Sequence, residues 1–188
     1  MPFLPSLPAI THLSDLFARF PRGTEHLMAY TDVVLRADGA LSIGERELIA
    51  TYVSGLNACT FCYGSHKIYA EVFGIDGDTI DALIADVDTS PIDEKLKPVM
   101  RYVRKLNTLP SKMVDADAQA VFDAGWPEEA LFEAVQVSAL FNMMNRIIEG
   151  TGINFDYAIN PGRHQAKGST PEMQQHSYRR FSDTISKD

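Results

Sequence analysis

Apolar residues recur at three- and four-residue spacing along almost the whole chain. That is the period of amphipathic helices. Segments 25–37 and 45–56 carry it clearly, and Ser42 followed by Glu45 predicts a capping box that starts the second of them. That helix should end near Gly55–Asn57, and another should run from about Cys59 to Phe73, with Gly74 as its stop. Shorter amphipathic helices are predicted over 78–87, over 93–107 with Pro98 near the first turn, and over 115–124. Pro127, followed by Glu128 and Glu129, predicts the start of the longest and most apolar helix, which reaches about Glu149 before Gly150 and Gly152. No stretch alternates with period two, so the fold class is all-α.

After about residue 160 the chain turns polar and rich in Gly, Pro and Ser. The pattern divides the chain into a helical domain, 1–160, and a C-terminal arm or tail, 161–188, with one short helix over 171–184. Tyr178 and Phe181 in that arm suggest that it docks, a neighbouring subunit being one destination. The apolar side chains amount to 45% of the 188 residues, enough for a buried core in one domain. The net charge of −8 argues against nucleic acid and against anionic membrane surfaces, because both need a basic face. No apolar run has bilayer length, and the proline-broken start MPFLPSLPAITHL lacks the form of a signal peptide. Two cysteines are too few for a secreted disulfide framework, so a cytoplasmic protein is expected.

Those two cysteines, Cys59 and Cys62, form one C-x-x-C, with His66 four residues on. Relative to Cys59 on a helix, Cys62 lies about 60° around the axis and His66 about 20°, so all three share a face. A thiol at a helix N-terminus is favoured as thiolate, here Cys59 by its position. Glu47 follows from counting. If 45–56 folds back at Gly55–Asn57 onto 59–73, Glu47 lies as far before the turn as His66 lies after it. A carboxylate level with an imidazole fixes its tautomer and strengthens it as a base. Other readings of the cluster stay open. Cys59, Cys62, His66 and Glu47 could ligate zinc, although no second Cys/His pair exists. The pair could also act as a redox sensor. His12, His26, His164 and His176 read as surface or interface residues, and Asn142, Asn145 and Arg146 as a hydrogen-bonded patch on an apolar helix. Phe61, Tyr63 and Tyr69 read as packing groups around the thiols, or as the lining of an apolar entrance.

Glu47, Ser54, Asn57, Cys59, Cys62 and His66 resemble the signature of the AhpD-like alkylhydroperoxidase family, within the carboxymuconolactone decarboxylase superfamily. That signature is a glutamate followed by Ser-x-x-Asn-x-Cys-x-x-Cys-x-x-x-His. The run from Leu140 to Arg146 resembles a later helix of a peroxidase-related branch. The resemblance implies an orthogonal helical bundle of about seven to nine helices, assembled as a homo-oligomer (dimer, trimer or hexamer). It implies a thiol peroxidase without a cofactor, reducing organic hydroperoxides through a Cys59–Cys62 dithiol/disulfide cycle. Cys62 would be the peroxidatic thiol, Cys59 the resolving thiol, and Glu47 with His66 the proton relay. An external dithiol would be the reductant. Phe61 stands where characterised members carry an additional relay histidine, and a phenyl ring cannot move protons. A carboxymuconolactone decarboxylase-like activity is the alternative from the same superfamily, and the C-x-x-C pair argues against it.

Overall fold

The computed structural model describes residues 1–185, so the last three residues of the predicted arm lie outside the described residues. Among the described residues there are nine α-helices and no strand. They are α1 (Leu13–Arg19), α2 (Thr24–Arg36), α3 (Ile43–Leu56), α4 (Thr60–Val72), α5 (Gly77–Ala85), α6 (Lys97–Thr108), α7 (Asp115–Asp123), α8 (Glu128–Thr151) and α9 (Ser177–Ile185). No helix among the described residues is long and apolar enough to cross a membrane.

The organising unit is the α3–α4 hairpin. Ser42 accepts from the Glu45 amide at 3.2 Å, and the Glu45 carboxylate accepts from the Ser42 amide at 2.7 Å, the capping box read from the sequence. Every residue from Arg46 to Ser54 is buried, so α3 is covered on all sides rather than along one stripe. It packs on α4, α8, α5 and α6. The first turn of α3 also approaches the end of α4 closely. A side chain at Gly44 would come within 2.9 Å of the Phe73 carbonyl oxygen, so glycine is needed there.

The turn between the two helices is pinned by polar groups. Ala58 takes the left-handed conformation, φ +54°, and the Cys59 amide donates back to the Ser54 carbonyl at 3.0 Å. Asn57 donates to Asn145 at 2.9 Å and accepts from Asn107 at 3.0 Å. Asn142 donates to Asn107 at 2.6 Å, and Asn145 donates to the Ser54 hydroxyl at 3.1 Å. Ser54 and Asn57 of the motif therefore fasten the thiol loop to α6 and α8. The polar patch read on α8 is the other half of that network.

Several boundaries depart from the periodicity. Helix α1 has no counterpart in the sequence reading, because it spans two turns, buries only Leu16 and Phe17, and has a histidine at its N-cap. Helix α6 begins at Lys97 rather than residue 93, since residues 93–96 close a separate turn, Leu96 N–H to the Asp93 carbonyl at 2.9 Å. Pro127 is the N-cap of α8 rather than its first helical residue. Helix α8 runs through Gly150, and Gly152, at φ +71°, stops it. The aromatic arm folds onto its own chain. Helix α9 lies on α2, where Asp32 receives His176 at 3.0 Å, and Arg36 Nε donates to the Gln174 carbonyl at 3.0 Å.

Candidate active site

The hairpin puts Glu47 and His66 together. Glu47 Oε2 lies 2.7 Å from His66 Nδ1, so the imidazole donates through Nδ1 and presents Nε2 as its basic atom. Glu47 is fully buried and is held by more than the histidine. Arg36 Nη1 lies 2.5 Å from its Oε1, and the Tyr178 hydroxyl donates to the same oxygen at 3.1 Å. Burial alone would push the Glu47 carboxyl up. The Arg36 charge first and His66 second outweigh it, and the carboxyl is pulled down to about 2. Arg36 in turn lies within 4.8 to 5.1 Å of the ring centres of Tyr178, Tyr69 and Phe73.

Both thiols are buried and free. Cys59 is the N-cap of α4, one residue outside the first turn, and Cys62 is the third residue of the helix. This alters the electrostatic expectation for the pair. Cys59 is not favoured as thiolate. Its hydrogen bond to Cys62 pushes its thiol up, and burial and the charge of Cys62 add to the shift.

Cys62 and His66 line one cavity of ≈220 Å³, together with Ser65 and Tyr69 from the same helix face. Met28 and Thr31 of α2 and Phe141 and Met144 of α8 line it from two other helices. The regions toward the two chain ends add His12, Leu13, Tyr157, Arg163, His164, Gln165, Tyr178 and Phe181. Phe61 and Tyr69 line this cavity, whereas Tyr63 points away and hydrogen-bonds Asp81 at 2.5 Å.

Two of the four histidines read as surface groups belong to this cavity. His164 is buried, with Nε2 2.9 Å from Ser65 Oγ, and its ring packs against Tyr69 and Tyr157. His12 reaches Tyr157 Oη at 2.5 Å and packs on Phe61. His26 and His176 are exposed. Burial, with the His66 charge behind it, lowers His164 to about 3. An unfolded histidine protonates near 6.5, so the unfolded chain binds this proton first as pH falls. The stability His164 contributes is complete above about pH 6.5 and is lost progressively below it, at about 1.4 kcal/mol per pH unit. Urea unfolding at pH 7 and pH 5 should show about 2 kcal/mol lost through this residue. His164→Gln should lose correspondingly less over the same interval, and an unchanged loss in the variant would refute the assignment.

Arg36 and Tyr178 are the site residues that the sequence did not announce. Arg36 ends an ordinary amphipathic helix, and nothing near it in sequence marks a buried cation. Tyr178 is 131 residues from Glu47, and its only signal was an aromatic in a polar tail. The zinc reading requires Cys59, Cys62, His66 and Glu47 to converge. Among the described residues no group of three His, Cys, Asp or Glu side chains is placed to hold a metal ion.

No protein-family model matches the sequence, and no curated protein matches it. Solved structures do match the fold. An uncharacterized peroxidase-related protein from Ralstonia eutropha, described as an alkylhydroperoxidase AhpD core, superposes with a TM-score of 0.70 at 22% identity, over 74% of each chain. An uncharacterized peroxidase-related protein from Silicibacter sp. gives 0.70 at 21% identity, over 76% of this chain and 74% of its own. A protein of unknown function from Agrobacterium tumefaciens, provisionally named an antioxidant defence protein AhpD, gives 0.62 at 19% identity, over 74% of this chain and 94% of its own. At these identities the likeness is one of architecture, and this chain has the all-helical AhpD-like fold.

Proposed function

We propose that the protein is a thiol-dependent oxidoreductase that reduces organic hydroperoxides through Cys62 and Cys59. The observation that carries this reading is the Glu47–His66 pair, at 2.7 Å, on the wall of the same cavity as the Cys62 thiol. A base oriented by a buried carboxylate beside a thiol in an apolar cavity is the arrangement that activates a sulfur nucleophile. His66 Nε2 takes the Cys62 proton, and the sulfur attacks the terminal peroxide oxygen. The products are a sulfenic acid and an alcohol. The Cys59 thiol then attacks Cys62, releases water and closes the disulfide. Cys62 lines the cavity and Cys59 does not, which supports this division of labour, because the sulfur that the peroxide can reach is the first nucleophile. An external dithiol reopens the disulfide by exchange.

The finer parts of the reading are these. The hydroperoxide carries an apolar body, to suit a wall of Met28, Phe61, Phe141 and Met144. The arm after residue 160 completes the cavity of the 1–160 domain through His164, Gln165, Tyr178 and Phe181, and the reaction runs in the cytoplasm, where dithiol donors are maintained. Exposed Tyr30, Val33 and Phe132 support assembly into a homo-oligomer.

The deciding experiment adds one equivalent of cumene hydroperoxide to fully reduced protein and follows free thiols. Two thiols per chain should disappear rapidly, with none lost at that rate in Cys62→Ser. Loss no faster than that of an ordinary free thiol would refute the proposal.

A further inference from the structure

The cavity has a second wall of hydroxyl groups that the thiol cycle leaves unused. Ser65 lies three residues after Cys62 on α4, so the two side chains are neighbours on one helix face. Other helical hydroxyls in this chain return to the carbonyl four residues back: Thr31 to Leu27, Thr51 to Glu47 and Ser54 to Ala50, each at 2.8 Å. Ser65 instead meets His164 Nε2 at 2.9 Å. The direction of that bond follows from the other ring nitrogen. The Ala166 backbone N–H donates to His164 Nδ1 at 3.1 Å, so Nδ1 is the acceptor and the single proton of the neutral ring sits on Nε2. Burial keeps that ring neutral. His164 therefore donates, the Ser65 oxygen accepts, and the Ser65 hydrogen is left for the cavity.

The same construction recurs at Tyr157. The Ser14 backbone N–H donates to His12 Nδ1 at 3.1 Å, which again leaves the proton on Nε2. That nitrogen lies 2.5 Å from Tyr157 Oη. The phenol is pushed up by burial and keeps its own hydrogen. Two hydroxyls thus border the cavity of Cys62, each with its oxygen occupied by a histidine whose tautomer the backbone fixes.

We propose that Ser65 and Tyr157 are hydrogen-bond donors to the oxygen that leaves when the peroxide O–O bond breaks, with His164 and His12 as their positioning residues. This rests on the hydroperoxide reading given above. As the Cys62 sulfur bonds the terminal oxygen, the O–O bond breaks, the sulfur is oxidised by two electrons and the peroxide is reduced. Negative charge develops on the inner oxygen, RO⁻. Donors already aimed at that charge stabilise the transition state without reorganising. The proton that His66 took from Cys62 ends on RO⁻, so a thiol and a hydroperoxide become a sulfenic acid and an alcohol.

The test varies the leaving group. An alkoxide leaves poorly and needs donors, whereas the acetate released from peracetic acid needs little help. Ser65→Ala, Ser65→Thr and Tyr157→Phe are compared with wild type for the rate of Cys62 oxidation by tert-butyl hydroperoxide and by peracetic acid. Ser65→Ala and Tyr157→Phe should each slow the alkyl hydroperoxide by about 10- to 100-fold and peracetic acid by under about 3-fold. Ser65→Thr, which keeps the hydroxyl, should recover most of the lost rate. Equal losses with both oxidants, or no loss with tert-butyl hydroperoxide, would overturn the assignment while leaving the peroxidase reading intact. A wild-type protein inert to tert-butyl hydroperoxide would overturn both.

Discussion

Cys59→Ser protein should consume one equivalent of hydroperoxide per chain and then stop. In the proposed cycle the first chemical step draws on the Cys62 sulfur, the His66 base oriented by Glu47 and the hydroxyl donors of the cavity, and Cys59 supplies none of these. Its contribution comes afterwards, when the sulfenic acid on Cys62 must be condensed with a second thiol before it oxidises further. Cys59 is suited to that step by place. It caps the helix that carries Cys62 and is fully buried. Without it the oxidised sulfur lies in an apolar cavity, where an external dithiol reaches it slowly. A burst of one equivalent should precede a steady-state rate at least about 10²-fold below wild type. The trapped sulfenic acid should be labelled by dimedone at Cys62 alone. Unimpaired steady-state turnover in Cys59→Ser would remove the disulfide from the cycle, and absence of the burst would remove Cys62 as the independent nucleophile.

The parts of this site that were legible in the sequence are those written locally. Cys59, Cys62 and His66 lie within eight residues, at the cap and along the first two turns of one helix, where spacing largely fixes relative direction. Glu47 became placeable because a capping box at Ser42 and a turn at Asn57 bound its helix at both ends, so position along a hairpin could be counted. The helix pattern was legible for the same reason, since it rests on residues three and four apart. What the sequence hid is carried by long-range contacts. Arg36 joins Glu47 across a helix pair, and Tyr178, His164 and Gln165 arrive from an arm whose docking place no local pattern specifies. His164 is buried and His12 half-buried because Tyr157 lies against both and Phe61 against His12, which no local pattern encodes. The electrostatic expectation for Cys59 rests on its place at a helix start alone, without its neighbours. At the N-cap its thiol still meets the Cys62 backbone N–H, which favours the thiolate, but the hydrogen bond to the Cys62 sulfur and burial outweigh it.

Removing the Arg36 charge should be the most damaging single change to the fold. Arg36→Met keeps much of the side-chain volume and leaves Glu47, with no exposed surface, without its strongest partner. Breaking a buried pair from one side costs about 3–5 kcal/mol, because the remaining charge is stranded in low dielectric. For a chain of this length that corresponds to a fall in Tm of about 10 °C or more. The pH dependence separates this cause from lost packing. In the wild type Glu47 titrates at about 2, below its ordinary 4.5. Its contribution is complete above pH 4.5 and is lost as pH falls toward 2. In Arg36→Met burial dominates and raises the carboxyl above 4.5, so the sign reverses: the penalty is absent at low pH and grows as pH rises through the new value. The stability gap between the two proteins should therefore be widest near pH 7 and narrow on approach to pH 4.5. Adding Glu47→Gln to Arg36→Met should recover part of the loss at pH 7, since a neutral amide strands no charge. A gap that does not change with pH, or a double variant weaker than Arg36→Met alone, would mean that Arg36 acts through its contacts with Tyr69, Phe73 and Tyr178 rather than through the carboxylate that orients His66.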